Sequence, residues 1–170
     1  MKIICIFAKP PIAGKTKNRL AASIGEGPAA EISKIMLNIL IKECKSSNAE
    51  EIYLYIPREF SESDFIGIDI IGLKLRKQSG HELGEKMANM FKEWCLDNNQ
   101  VVLIGSDCIS HTAAILNEAF ESLQSNELVI QPADDGGYVL IGQSKFCQEI
   151  FNGPKWGSST VFETTVDIIN

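Results

Sequence analysis

The chain has 170 residues, 45% of them hydrophobic, which suits one globular domain that buries a core without disulfide bonds. Sixteen basic and twenty-two acidic residues give a formal net charge of −6, which argues against general binding to nucleic acid or anionic membranes. No stretch approaches the roughly 20 apolar residues that span a bilayer. The five cysteines show no C-x-x-C spacing, so we expect a single cytoplasmic domain over residues 1–170, without a zinc site.

In chain order, the first predicted element is a buried strand over residues 3–8, whose apolar run is too short for a signal peptide. Residues 28–45 are predicted to form a helix, because Pro28 suits a first turn and apolar residues recur at helical spacing. The residues at that spacing are Ile32, Ile35, Met36, Ile39 and Leu40. A strand over Glu51–Ile56 follows, and residues 68–75 are a second, weaker strand.

The second half of the chain keeps the same alternation. Residues 82–96 are predicted to form a helix with one apolar stripe in the core. That stripe consists of Leu83, Met87, Met90, Phe91 and Trp94. The remaining predicted elements are a strand at 101–104, a helix at 112–123, strands at 128–131 and 138–141, and a helix at Val161–Ile169. This alternation predicts a three-layer α/β/α fold around a mainly parallel mixed sheet, with ligands at the carboxyl ends of the strands.

The most basic segment follows directly after the first predicted strand. Residues 9–20 carry four basic side chains in a chain whose net charge is negative. Gly14 lets the backbone approach a ligand, and a helix starting near Thr16 would direct amide N–H groups at an anion. Arg19 offers a planar fork to phosphate, while Lys9 and Lys17 offer point charges. We therefore expect a phosphate site here; the alternative is a solvated helix start.

Acidic residues follow two other predicted strands. Asp107 comes directly after the strand at 101–104, where a carboxylate can hold Mg²⁺ or Mn²⁺ against a diphosphate; the alternative is a turn cap. Asp134 and Asp135 precede Gly136 and Gly137 between two apolar runs, which is also typical of a tight turn. In the functional interpretation, the glycines let the backbone pack against a substrate while the aspartates face a metal or an acceptor.

Two further residues are informative chiefly in combination with these clusters. Gly84 lies in a loop-to-helix segment, residues 78–87, where a glycine indicates close packing or the approach of a ligand. His111 lies four residues after Asp107. It could be a ligand, but the pattern favours an exposed or hydrogen-bonded histidine.

Taken together, these segments resemble the bacterial DUF2064 family, glycosyltransferase-A-like proteins that include arsenosugar-biosynthesis glycosyltransferases. More distant relatives are the molybdenum-cofactor and phospholactate guanylyltransferases. Five family motifs occur in the correct order. They are met by Lys9, Pro11, Gly14, Lys17, Arg19 and Leu20; by Gln78, Gly80, Leu83, Gly84, Glu85 and Met87; by Gly105, Ser106, Asp107 and Thr112; by residues 132–142 apart from free positions; and by Trp156 and Val161.

The resemblance implies a nucleotide-diphospho-sugar transferase (GT-A-like) fold and transfer of a glycosyl group from a nucleotide-diphospho-sugar to a small acceptor, with Mg²⁺ or Mn²⁺. The alternatives are nucleotidyl transfer to a phosphorylated small molecule, non-catalytic nucleotide binding, and a scaffold subunit. The residues expected to act are Asp107 and Asp135 in catalysis, Asp107 also on the metal, Lys9, Gly14, Lys17, Arg19 and Gly80 on the nucleotide and its phosphates, and Asp134, Gly136, Gly137 and Tyr138 on the acceptor side.

The chain departs from the family pattern at several positions. Asn18 replaces Thr, Lys86 replaces Arg, Ile109 replaces Pro and His111 replaces Leu. Lys86 keeps the positive charge but loses bidentate geometry. Relatives continue into a strand with a D-x-D motif that contributes to metal binding in the guanylyltransferases, and we expect either that the natural protein continues past Asn170 or that this strand is missing and leaves a sheet edge open. The open sheet edge then makes a homodimer an expectation.

Overall fold

The computed structural model describes residues 1–96 and 98–169. Its elements in chain order are β1 (Lys2–Phe7), α1 (Asn18–Ile24), α2 (Glu26–Ser46), β2 (Glu51–Ile56), a 3₁₀ turn (Glu62–Asp64), β3 (Lys74–Lys77), α3 (Leu83–Trp94), β4 (Gln100–Gly105), α4 (Ala113–Ser122), β5 (Leu128–Pro132), β6 (Tyr138–Gln143), α5 (Glu149–Asn152) and α6 (Val161–Ile169). None of the helices in this part of the chain is long and apolar enough to cross a membrane.

The six strands form one sheet in the order β3-β2-β1-β4-β6-β5. The strands from β3 to β4 run parallel, and β6 is antiparallel to both β4 and β5. The carboxyl ends of β1 to β5 therefore meet the start of β6 at one edge of the sheet. This edge is where ligands bind in open α/β sheets.

Each face of the sheet carries its own hydrophobic core. Along β1, Ile4 and Ile6 point toward α2 and α4, while Ile3 and Cys5 point toward α3 and α5. This alternation follows from the two-residue period of a strand. Because all four side chains are fully buried, the sheet is covered on both faces, and the predicted three-layer α/β/α architecture is confirmed.

The predicted strand over residues 68–75 is wrong for most of its length, because β3 contains only Lys74–Lys77. Residues 65–73 instead form successive tight turns, in which the amide of Ile68 donates to the carbonyl of Phe65 and the amide of Leu73 to that of Ile70. Gly72, within the predicted range, has a φ of 83°, which a strand does not accommodate. The four-residue α5 and the 3₁₀ turn were not predicted, since elements this short show no periodicity.

Two helices differ from the sequence pattern in the faces that they bury. Of the five residues of α2 at helical spacing, Leu40 is buried, whereas Ile32, Ile35 and Ile39 are 37%, 56% and 42% exposed. The buried face of α2 consists instead of Ala29, Ala30, Ser33, Leu37, Leu40, Ile41 and Cys44. In α3 the predicted core stripe is correct at Met87, Met90 and Phe91 but wrong at Leu83, which is 47% exposed.

Candidate functional site

Two adjoining cavities open where β1 and β4 end. The larger, of about 720 Å³, we call the cationic cavity, and the smaller, of about 510 Å³, the aromatic cavity. The charged side chains lining the cationic cavity are Lys9, Lys15, Lys17, Arg19, Lys86 and Asp107. The aromatic cavity is lined by Phe7, Tyr138 and Trp156, by Leu83 and Met87, by Arg19 and Asp135, and by smaller residues. The two cavities share Phe7, Arg19, Leu83 and Gly105.

The parallel pairing of β1 with β4 brings the basic loop and the acidic loop together. Phe7 and Gly105 are the last paired residues of these strands, and the amide of Ser106 donates to the carbonyl of Phe7 at 3.2 Å. The segments containing Lys9 and Asp107 therefore leave the sheet side by side. The pairing register of β1 with β4 alone determines this arrangement.

The cationic cavity is strongly positive. Five cationic side chains and one carboxylate line it, although the whole chain has a formal net charge of −6. Four of these cations come from the loop and first residues of the helix after β1, and Lys86 comes from the first turns of α3. A concentration of one sign of charge in a cleft focuses the electrostatic potential there and attracts a ligand of opposite charge.

Lys17 occupies a strained position that directs its side chain at Asp107. Its φ and ψ of 48° and 47° lie in the left-handed region, which costs a residue with a side chain about 1–2 kcal/mol. Lys17 Nζ lies 2.7 Å from Asp107 Oδ1, and only 14% of the lysine side chain is exposed, against 74% for the aspartate. The predicted phosphate ligand and the predicted metal ligand thus contact each other.

The described residues contain no group of three or more histidine, cysteine, aspartate or glutamate side chains placed to hold one metal ion. Asp107 is the carboxylate of the cationic cavity, and Asp135 belongs to the aromatic cavity. A protein that binds Mg²⁺ together with substrate phosphates needs only one or two carboxylates, because phosphate oxygens and water complete the coordination. Asp107 fits that kind of site, but not an all-protein metal cage.

The walls of the aromatic cavity belong to the core around α3. The indole of Trp156 donates to the carbonyl of Phe151 at 3.3 Å and lies edge-on to Tyr138, with ring centroids 6.1 Å apart. Gly84 makes this packing possible, because a Cβ there would overlap the Trp156 ring and lie 2.6 Å from the Phe151 carbonyl oxygen. The hydroxyl of Tyr138 is buried, and this burial raises its pKa.

The Asp-Asp-Gly-Gly segment forms the turn that joins β5 to β6. Asp135 Oδ1 accepts a hydrogen bond from the amide of Gly137 at 3.1 Å, so this carboxylate also stabilises the turn. The carbonyl of Gly136 accepts from the amide of Phe162 at 2.9 Å. A Cβ at Gly136, whose φ is 84°, would overlap the backbone of Ser159. The turn is therefore fixed against the start of α6.

The structure separates the sequence-predicted site residues into three groups. Lys9, Lys17, Arg19 and Asp107 line the cationic cavity, and Arg19, Asp135, Gly137 and Tyr138 line the aromatic cavity. Gly14, Gly80, Asp134 and Gly136 line neither cavity. Gly14 lies in the turn closed by the hydrogen bond from Lys15 N to Ile12 O, and Gly80, with a φ of 118°, lets its loop approach Glu85 in α3.

Among the lining residues that were not predicted as site residues, three matter most for ligand binding. Lys15 and Lys86 add positive charge to the cationic cavity, and Trp156 forms a wall of the aromatic cavity. The basic cluster and the family motifs already contained a signal for each of them. The sequence did not show toward which cavity each of these side chains points.

His111 follows Asp107 by four positions and directly precedes Thr112, the N-cap of α4. It is 0% exposed, which corrects the expectation of an exposed side chain. Burial lowers the pKa of this imidazole, and the neighbouring amide of Gln131 partly offsets that effect. In the family pattern, leucine occupies the buried position that His111 takes here.

Comparison with known families gives a match to DUF2064, described as an uncharacterized protein family conserved in bacteria, over residues 40–158. The chain belongs to the DUF2064 family. The comparison with curated proteins gave no match.

Solved structures share the fold. A protein from Desulfovibrio desulfuricans G20, assigned as a nucleotide-diphospho-sugar transferase, is 28% identical with a TM-score of 0.87, over 98% of this chain and 74% of that one. The 4-diphosphocytidyl-2C-methyl-D-erythritol synthase of Anaerococcus prevotii DSM 20548 has 13% identity and a TM-score of 0.59, over 96% and 81%. Rv0371c of Mycobacterium tuberculosis H37Rv, solved with manganese, has 11% identity and a TM-score of 0.54, over 88% and 72%.

Proposed function

We propose that this DUF2064 protein is a nucleotide-dependent transferase that moves a glycosyl group from a nucleotide-diphospho-sugar to a hydroxyl group of a small acceptor. The observation that carries the proposal is the cationic cavity, in which five cations oppose one carboxylate in a chain of net charge −6. Diphosphate suits such a cluster, because charge-assisted hydrogen bonds to its oxygens are strong. The similarity to the Desulfovibrio protein supports the same assignment.

In the proposed reaction, the two cavities hold the two substrates. Lys9 and Lys17 bind the diphosphate, and Arg19, which lines both cavities, binds the phosphate next to the reacting carbon. The bond from the anomeric carbon to the phosphate oxygen breaks, a bond to the acceptor oxygen forms, and the nucleoside diphosphate leaves. Asp135 in the aromatic cavity takes the proton of the acceptor hydroxyl. Catalysis then rests on positioning and on stabilising the charge of the leaving diphosphate.

A divalent cation fits this arrangement. We propose Mg²⁺ or Mn²⁺ with Asp107 as its protein ligand, and phosphate oxygens and water as the other ligands. The ion would neutralise the diphosphate charge. Lys17 would leave Asp107 and bind phosphate when both ligands are present. The manganese complex of Rv0371c supports the choice of cation.

Glycosyl transfer is favoured over nucleotidyl transfer by the distribution of charge between the cavities. A phosphorylated acceptor would need cations of its own, and the aromatic cavity offers Arg19 alone, which it shares with the cationic cavity. Its other walls include three aromatic rings and several aliphatic side chains. We therefore propose an acceptor that carries a hydroxyl group but no phosphate, and that packs a ring or hydrocarbon surface against Trp156.

A second candidate, a non-catalytic nucleotide-binding protein, is favoured by one specific observation. Lys17 and Asp107 neutralise each other at 2.7 Å. Such a protein would bind the nucleotide in the cationic cavity and release no product. Binding and product formation therefore have to be measured separately.

We also propose that the protein works in the cytoplasm. Its five cysteines are free thiols, and burial raises the pKa of the Cys44 thiol to about 12. A thiol of that kind is protonated at neutral pH and inert. Unpaired cysteines are typical of a reducing compartment.

The test combines a thermal-shift panel with product analysis. Nucleoside diphosphates, triphosphates and nucleotide sugars are compared with and without Mn²⁺, and a true ligand at 100 times its Kd should add about 2.7 kcal/mol of stability. Glycosyl transfer predicts release of a nucleoside diphosphate from a nucleotide sugar. Release of pyrophosphate from a triphosphate and a sugar phosphate would establish nucleotidyl transfer instead. Binding without either product supports the non-catalytic candidate, and absence of all nucleotide binding contradicts both.

A further inference from the structure

Helix α2 carries a second apolar stripe on the side that faces away from the sheet. We define the outer stripe as Pro28, Ile32, Ile35, Met36 and Ile39, which fall within an arc of about 100° on a helix of 3.6 residues per turn. The isoleucines at its centre are between 37% and 56% exposed. A helix whose outward face is apolar, opposite a complete buried face, indicates that this surface has a partner.

The described chain covers the outer stripe only in part, since Ile32, Ile35 and Ile39 stay 37%, 56% and 42% exposed. The loop over residues 66–71 is fixed to the side of α2 by hydrogen bonds from Asn38 Nδ2 to the carbonyl of Gly67 and from the amide of Asp69 to Asn38 Oδ1, at 3.0 and 2.9 Å. Lys45 Nζ also lies 2.8 Å from Asp69 Oδ2. These contacts hold the loop beside the stripe and leave its isoleucines partly exposed.

The charges along the outer stripe identify a second copy of this chain as the partner. Glu31 and Lys42 are both exposed, make no ion pair within the described residues, and lie on the same side of the stripe. They are eleven positions apart, or about 16 Å along the axis. A two-fold axis perpendicular to α2 reverses the direction of the helix in the second copy. A residue a given distance before the axis in one copy therefore lies opposite the residue the same distance after the axis in the other copy. Glu31 of one copy then meets Lys42 of the other, and this ion pair forms twice.

Two independent features place that two-fold axis at the same point. The midpoint of Glu31 and Lys42 falls between positions 36 and 37, and the midpoint of Ile32 and Ile39 falls between positions 35 and 36. These points differ by about 1.5 Å along the helix. The axis that pairs the charges therefore also packs the isoleucines of one copy against those of the other. A parallel arrangement would instead bring the two Glu31 side chains, and the two Lys42 side chains, to the same level.

We propose that the protein forms a two-fold symmetric dimer through antiparallel packing of the outer stripes of two α2 helices, with Glu31–Lys42 pairs on their flanks. An isologous contact of this kind closes on itself and leaves the sheet edge with both cavities free. One helix face buries less than the about 800 Å² per partner of a standard interface, so the dimer is a reversible, concentration-dependent one. The acidic net charge of the chain, −6, disfavours an anionic membrane as the partner.

The first test measures the dimer dissociation constant by sedimentation equilibrium on the full chain. Ile35→Asp should weaken the dimer by about 30-fold or more, the scale of a central interface residue, with an unchanged circular dichroism spectrum. The matched control is Ile169→Asp, at an isoleucine that is 48% exposed on α6, which packs on the other face of the sheet, and it should leave the constant unchanged. A wild type that stays monomeric up to its solubility limit overturns the proposal. A dimer that survives Ile35→Asp overturns it as well and assigns association to another surface, such as the open edge of β5.

The second test uses the flanking charges. Glu31→Lys and Lys42→Glu should each weaken the dimer by about tenfold, because each places like charges opposite one another twice. The double variant Glu31→Lys/Lys42→Glu should recover most of the wild-type affinity. Two single effects that simply add in the double variant would overturn the antiparallel arrangement.

Discussion

The two cavities are neighbours that share Arg19 and Leu83, yet they are built in different ways. The cationic cavity is made largely of long side chains on loops, such as Lys9 and Lys15. The aromatic cavity is made of core side chains, among them Met87, which is 4% exposed. Substitutions in the cationic cavity should therefore change ligand affinity without loss of stability. Substitutions in the aromatic cavity should change ligand affinity and stability together.

The largest effect is expected at Gly84, beneath the aromatic cavity. Gly84→Ala places a Cβ against the Trp156 ring and 2.6 Å from the carbonyl oxygen of Phe151, both of which are held by packing. Overpacking of a core contact costs about 1–3 kcal/mol, so the free energy of unfolding in urea should fall by that amount. The displacement of Trp156 should also impair acceptor binding while nucleotide affinity is retained.

Gly27→Ala is the matched control for this variant. Gly27 also lies at the start of a helix, but a Cβ there meets nothing within 4 Å. The same substitution should leave the unfolding free energy unchanged or raise it by less than about 1 kcal/mol. If Gly84→Ala were as harmless as Gly27→Ala, the aromatic cavity would not be part of the core, and the contrast between the cavities would be lost.

Arg19→Ala tests the cationic cavity. Arg19 is exposed and lines both cavities, so its loss should leave the melting temperature unchanged. Nucleotide binding should weaken by about 1.5–3 kcal/mol, the value of hydrogen bonds to a charged group. Isothermal calorimetry provides the measurement, with Lys155→Ala as an exposed control that lines neither cavity. Equal affinities for wild type and Arg19→Ala would remove Arg19 from the phosphate site.

Asp107→Asn should have a smaller effect, with opposite signs in the presence and absence of metal. The amide keeps the size of the side chain but removes the charge that holds Lys17 at 2.7 Å. Freed of this partner, Lys17 should strengthen metal-free nucleotide binding by up to about 1 kcal/mol, the value of an exposed ion pair. Enhancement by Mn²⁺ should be lost at the same time. If Mn²⁺ enhances binding equally in wild type and variant, Asp107 is a turn residue and not a metal ligand.

The location of the candidate site could be predicted from the sequence because it depends on strand order and strand ends. The charged segments beginning at Lys9 and Asp107 each follow a run of apolar residues, and parallel strands end at one edge. The tight turn at residues 134–137 was equally clear, since glycines between two strands indicate one. These inferences need only local patterns and one topological rule.

What the sequence could not provide is the direction of individual side chains. Periodicity shows that α2 is a helix, but that helix is apolar on both sides, and the more conspicuous isoleucines proved to face solvent. Leu83 continues the core stripe of α3 in sequence and yet lines both cavities. The contact of Lys17 with Asp107 joins residues 90 positions apart, and no local pattern contains it.

The smallest expected effect concerns His111, a buried residue four positions after Asp107. The histidine is fully buried, and burial lowers its pKa below the ordinary value of 6.5. The unfolded chain therefore binds a proton at a higher pH than the folded chain does, so the free energy of unfolding should fall as the pH drops below 6.5. The carboxyl groups with lowered pKa, such as that of Glu85, change the free energy of unfolding only at lower pH, below their ordinary pKa of 4.5. Urea titrations between about pH 5 and 6.5 should thus isolate the contribution of the histidine.

His111→Leu should make the free energy of unfolding independent of pH across that interval and leave nucleotide affinity at neutral pH unchanged. The same slope in variant and wild type would show that the folded protein protonates His111 as readily as the unfolded chain does.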